Sequence, residues 1–389
     1  MRRLLLTTVA VLLAACSGPI LANPPAARPV VPPEPSATSR PPDPQPLSLP
    51  ADDAPHDRLT EWWYYTGHVR DARGGRWGFE YVIFRAERGG LPVSWASHLA
   101  LTDETGGAFT YAQRSEIGPQ VDVRGEGAPP GFAFRLLGAD PTQPALPPGV
   151  PWEMSGVDGT DRLRAAASAA ETQGDVRAIG LDLRLGAARP PALHDRDGWI
   201  DFGPAGGSYY YSRTRLAAEG SLEVDGVRLA VEGTAWFDHQ WGDFIAVGGG
   251  GWDWFAVNLE DGTDLTVSLV RALDGSYPLV YGTLVEAGGR VRHLPRTAFE
   301  WEVTGSWTSP ATGARYPAGW RITVPGDNLE IELTPTVADQ ELDTRATTGV
   351  VYWEGSQVVR AVRDGRALSG EAYVELTGYA AGAALPESP

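Results

Sequence analysis

Two short stretches of this chain concentrate groups that could do chemistry. Glu61-Trp62-Trp63-Tyr64-Tyr65-Thr66-Gly67-His68 sets a carboxyl and an imidazole at the ends of four consecutive aromatic rings. Trp236-Phe237-Asp238-His239-Gln240-Trp241-Gly242 sets an Asp-His pair among three more, and Gly251-Trp252-Asp253-Trp254 repeats the theme. In an extended chain, successive side chains point to opposite faces. Ala235, Phe237, His239 and Trp241 therefore share one face, and Trp236 and Asp238 the other. Likewise Trp62, Tyr64, Thr66 and His68 separate from Trp63, Tyr65, Gly67 and Val69. An aromatic wall carrying a few ionisable groups suits a long apolar or polyene ligand. It also suits carbocation chemistry: an acid protonates an alkene, ring faces stabilise the cation by about 0.5–2 kcal/mol per contact, and water attacks. A carboxyl in such a wall has a raised pKa and remains a proton donor near neutrality.

These patterns nominate His239, Asp238 and Asp253 as catalytic groups, with Glu61 as a further carboxyl. Trp62, Trp63, Tyr65, His68, His98, Trp241, Trp252 and Trp254 are nominated as ligand-binding residues. Each has a plainer reading, since strand Trp and Tyr commonly fill cores and Asp238-His239 could be a hydrogen-bonded pair that fixes a turn. His68, His98 and His239 could together bind a metal, but no HxH or HExxH spacing supports that, so no metal is expected. A serine hydrolase is equally poorly supported: there is no G-x-S-x-G, and Ser97 and His98 point to opposite faces.

The elements that must position these residues read as all-β. The chain has 389 residues with 47 Gly, 33 Pro, 14 Trp and 1 Cys, and is 42% hydrophobic. At roughly 100–200 residues per domain this suggests two domains, or one large β domain with appendages. The net charge of −17 disfavours nucleic acid, and one Cys excludes a disulfide scaffold or an iron–sulfur cluster. From Leu59 onward, alternating runs such as Arg76–Arg85 and Leu265–Arg271 are separated by Gly-Gly, Asp-Gly and Pro-Gly pairs, the signature of antiparallel hairpins. One Ala-rich stretch, Asp161–Ala170, is either a helix or a loop. The parts recur in order: Trp62–Asp71 aligns with Trp252–Asp261, and Glu232–Phe237 with Ser369–Val374. Before these last two lie Tyr209–Tyr211 and Val351–Trp353. Two β-barrels are expected, over 56–246 and 247–385, with a boundary in Val247-Gly-Gly-Gly-Gly251.

The N-terminus reads as an address. Arg2-Arg3, the apolar run Leu4 to Ala15 and Leu13-Ala14-Ala15-Cys16 have the form of a signal peptide (1–15) ending in a bacterial lipobox, with Cys16 as the lipidated residue. The alternative is an ordinary secretory signal cleaved near Ala22. Ser17 leans toward the outer membrane. Residues 16–55 are Pro-rich and read as a semi-rigid tether that buries nothing, with a reach of up to about 100 Å.

Taken together, Glu61–His68, Ser97–Asp103, Trp236–Gly242, Gly251–Trp254 and Tyr373–Tyr379 resemble the AttH-like / carotenoid 1,2-hydratase family over roughly residues 57–380. The resemblance implies two lipocalin-like antiparallel β-barrels packed together. It also implies activities such as hydration of the terminal double bond of acyclic carotenoids without a redox cofactor, and, in fungal members, cyclisation in a pocket between the barrels. His239 and Trp241 match the hydratase-type His and Trp. The secreted branch of the family is often encoded near transporter permeases, which implies an ABC-transporter association. The expectation is an envelope lipoprotein on the periplasmic side, held at the membrane by its lipid and using no cofactor. Its partner would be a hydrophobic small molecule, either bound only or hydrated or cyclised with His239 as proton donor. A transporter-accessory role is a further alternative.

Overall fold

In the computed structural model, residues 42–125, 127–138, 150–244 and 249–380 are described. The signal peptide, Cys16 and the first part of the Pro-rich stretch lie outside them, as do residues 245–248 of the expected boundary. No described helix is long and apolar enough to cross a membrane.

The fold is all-β. A thirteen-stranded antiparallel sheet is built from residues 60–242 and a ten-stranded one from residues 249–377, with a separate small hairpin of Ser306–Thr308 and Arg315–Pro317. Each large sheet curls into a half-barrel around its own apolar core, one containing Trp63, Tyr65, Phe237 and Trp241, the other Phe255, Trp320 and Trp353. The two sheets repeat one plan. The strand Thr60–Asp71 lies between Arg76–Ala86 and Val227–Gly242, just as Gly249–Leu259 lies between Asp264–Ala272 and Arg366–Thr377. The last hairpin of each sheet turns on Asp225-Gly226 or Asp364-Gly365. All four of these residues have φ of 50–77°, as two-residue turns between twisted strands require.

Of the Ala-rich stretch Asp161–Ala170, the part up to Ala167 is a strand, Thr160–Ala167, and the remaining three residues run into a turn; none of it is helix. Asp161, Leu163, Ala165 and Ala167 are buried while Arg162 and Arg164 are exposed. This two-residue alternation outweighs the local helix preference of alanine. The Pro-rich stretch also differs from a free tether where it is described. Leu47 and Leu49 pack on the first core, Arg58 binds Asp43, and Asp53 is fully buried beside Arg213. A few apolar side chains between prolines suffice to dock it.

Between the sheets lies a third apolar layer of Tyr64, Val82, Phe84, Trp236, Trp254 and Tyr373. Its existence explains why Thr60–Asp71 carries aromatics on both faces: Trp63 and Tyr65 enter the first core, and Trp62 and Tyr64 face the second sheet. Buried Asp264 reinforces the junction, accepting hydrogen bonds from Arg189, Thr214 and Arg215 of the first half and from Asn258 of its own.

Candidate functional site

The intersheet layer holds a cavity of about 120 Å³ that is partly open to solvent. Neighbouring strands supply its walls in register. Trp62 and Tyr64 pair with Gln240 and Asp238 on one side and with Phe84 and Val82 on the other. Across the gap, Trp252 and Trp254 come from the equivalent strand, and Glu375 is paired with Trp254. Tyr210, Tyr281, Tyr352 and Glu80 complete the polar positions.

The carboxyls differ in their surroundings. Asp238 is saturated with donors, because Tyr210 Oη (2.6 Å), Trp236 Nε1 (2.7 Å) and the Ser212 hydroxyl all donate to it. Burial pushes its pKa up and these donors pull it part of the way back, leaving it at about 6, so that it is mainly a carboxylate at neutral pH. Glu80 has one donor, Tyr352 Oη at 2.8 Å, and its Oε2 is buried without a partner. Burial raises it to about 8. Glu375 is half-buried, open to the cavity, and offered a hydrogen bond only by Trp252; burial raises it to about 7. Behind the wall, Glu354 accepts from Tyr64 Oη at 2.7 Å and is also raised by burial and by Glu80. The cavity thus combines acids that keep their protons near neutrality with a carboxylate that does not.

The nominated residues do not come together in one place. Asp238, Trp62, Trp252 and Trp254 line the cavity. His239, Trp63, Tyr65 and Trp241 face the other way, into the first core, where His239 Nε2 donates to Glu61 Oε1 at 2.9 Å and Tyr65 Oη donates to Asp161 at 2.9 Å. Asp253 turns away from its cavity-lining neighbours, accepting from Tyr379 Oη at 2.9 Å and facing Arg271 Nε at 3.3 Å. His98 sits behind the wall, 2.7 Å from Tyr352 Oη and 3.1 Å from Thr347 Oγ1. Burial drops its pKa to about 3, so it is neutral. His68, His98 and His239 therefore share no site.

His68 is a clamp between the sheets. Nδ1 donates to Glu104 at 2.8 Å and Nε2 to the Ala372 carbonyl at 3.1 Å, so both nitrogens carry hydrogen. Although burial opposes charge, Glu104 raises its pKa above 6.5. The stabilisation is whole below that unfolded value and is lost as pH rises through the higher folded one. Urea unfolding should show His68→Leu costing about 1.5–3 kcal/mol near pH 5.5 and less near pH 8.5; a pH-independent cost would contradict the charged clamp.

Glu80, Glu375, Tyr210, Tyr281 and Tyr352 also line the cavity, though residue types and spacing did not nominate them. A signal was present for the glutamates, each a lone carboxylate inside an apolar strand, in Phe79-Glu80-Tyr81-Val82 and Val374-Glu375-Leu376. His56 was also missed, because it precedes the aromatic run.

A profile of the AttH-like family matches residues 40–379. The chain belongs to the AttH-like family. Among solved structures, an AttH-type protein from Nitrosomonas europaea is 30% identical with a TM-score of 0.71, over 86% of this chain and 98% of that one. Kievitone hydratase from Nectria haematococca superposes with a TM-score of 0.61 at 16% identity, over 85% of this AttH-like chain and 93% of its own. CghA does so with a TM-score of 0.50 at 13% identity, over 82% and 87%. At these identities both likenesses are ones of fold. No curated protein matches the sequence.

Proposed function

We propose that the intersheet cavity binds an elongated apolar molecule and adds water to, or removes it from, a carbon–carbon double bond without a cofactor. The observation that carries this reading is that Glu80, Asp238 and Glu375 all open onto one cavity whose remaining walls include Trp62, Phe84, Trp252 and Trp254. Kievitone hydratase, a hydratase by name, has the same architecture and adds support at the level of fold.

In the hydration direction, Glu375 donates its proton to one alkene carbon. The π electrons form the new C–H bond, and the neighbouring carbon becomes cationic. Indole faces and the Asp238 carboxylate stabilise that cation. Water attacks it, its surplus proton passes to Asp238 and on to solvent, and Glu375 is reprotonated through the open mouth. The net change is addition of one water. His239, directed into the first core, takes no part in this scheme.

Tryptophan fluorescence during titration with a long acyclic isoprenoid alkene, followed by mass spectrometry in ¹⁸O-labelled water, tests the reading. Quenching together with uptake of one labelled water is expected. Quenching without uptake removes the chemical half, and no quenching overturns the whole. The basic-apolar N-terminus and Leu13-Ala14-Ala15-Cys16 support a lipid anchor in the envelope, which would keep the cavity near a membrane supply of such molecules.

A further inference from the structure

On the opposite face of the strand that supplies Trp62 and Tyr64, the fold gathers His56, Glu61 and His239 from three separate places: the segment before the first strand, the strand itself and its partner Val227–Gly242. Glu61 Oε1 lies 2.7 Å from His56 Nδ1 and 2.9 Å from His239 Nε2, and the three donor atoms all fall within 4.8 Å of one another. We propose that these residues bind a divalent transition-metal ion, zinc above all. The inference does not depend on any chemistry in the cavity.

The ligand set suits the ion. Imidazole nitrogen and carboxylate oxygen are what borderline-soft divalent metals take, and three protein ligands leave a fourth position for water. The surroundings match what holds ligating histidines in place, namely an acceptor behind each ring. Asp52 Oδ1 lies 3.7 Å from His56 Nε2. Behind His239, Nδ1 lies 3.3 Å from Tyr211 Oη, which donates to Asp53. Both ring planes are fixed by indoles. Trp241 stacks on His56 at 4.0 Å and 2°, and Trp63 stacks on His239 at 4.7 Å. His239 and Glu61 are fully buried, while His56 is 20% exposed and gives an ion its way in.

Arg85 is the group that could oppose a cation here. Its Nη1 is 3.9 Å from Glu61 Oε2, the oxygen that accepts from the His56 backbone N–H and not the one facing the two imidazoles, and the guanidinium is engaged by the His56 carbonyl, Asp57 and Glu87. An ion would tie the segment that leads in from the N-terminus to two central strands of the first sheet.

The test is equilibrium dialysis of the folded protein against zinc alone, with cobalt as a spectroscopic probe and zinc-dependent ¹⁵N shifts of the imidazole rings. One ion per chain is expected, with shifts at His56 and His239. His56→Ala should abolish stoichiometric uptake, and Asp52→Asn should weaken it about 10-fold. His293→Ala, on the second sheet, should leave it unchanged. Failure of the wild type to take up an ion, or retention by His56→Ala with unshifted rings, would overturn the proposal. The ring shifts are read on the wild type, so misfolding of a variant cannot decide the outcome.

Discussion

Replacing Glu375 with glutamine is expected to slow conversion of the isoprenoid probe by about 10²–10⁴-fold, the usual worth of a positioned general acid. Binding and thermal unfolding should stay near wild type. Glutamine keeps the shape and can still meet Trp252, but it carries no transferable proton. Of the cavity carboxyls, Glu375 is the one both open to the cavity and raised to about 7, where the acid is half-populated at neutral pH and still a competent donor. Glu80 is more deeply enclosed and raised to about 8, and Asp238 is held ionised by three donors. Single-turnover mass spectrometry measures the effect. A rate within a factor of a few of wild type would remove Glu375 from the mechanism, and loss of binding instead of rate would make it a ligand contact.

Replacing Glu80 with glutamine is expected to stabilise the protein in alkali. A carboxyl that ordinarily titrates at 4.5 and is raised to about 8 when folded binds its proton more tightly in the folded state. Stability linked to it is greatest below 4.5, falls as pH rises between the two values, and reaches its full penalty above about 8. At ~1.4 kcal/mol per pH unit the penalty is on the order of 5 kcal/mol. Glutamine never ionises and escapes it, and its amide can still accept from Tyr352 Oη. Urea unfolding at about pH 5 and pH 9 should show the two proteins close in acid and Glu80→Gln more stable in alkali. Parallel losses in both would mean that Glu80 is already ionised in the folded state.

Much of the fold was legible because it rests on period-2 alternation and turn chemistry. The runs around Tyr81 and Val267 and the turns at Asp225-Gly226 and Asp364-Gly365 could hardly be anything but hairpin strands, and the internal echo follows one strand plan used twice. Thr160–Ala167 misled because alanine favours helix, although Arg162 and Arg164 already alternated with Leu163 and Ala165. The site was half legible. Alternation separated Asp238 from His239 and Trp62 from Trp63, but only the packing of the second sheet tells which face is a cavity and which a core. Glu80, Glu375 and Tyr352 meet across more than 270 residues, and no local pattern encodes such a meeting. His56 likewise reaches Glu61 and His239 only through the turn of the chain into the first strand.

The central claim is that protonated carboxyls persist at neutral pH inside the aromatic cavity. Infrared spectroscopy tests it directly, since a carboxylic acid C=O stretch is separate from carboxylate bands and loses intensity as the group ionises. The account predicts acid bands still present near pH 6.5 that fade between about pH 6 and 9, with one component missing in Glu80→Gln and another in Glu375→Gln. A spectrum already free of carboxylic acid signal by about pH 5.5 would contradict it.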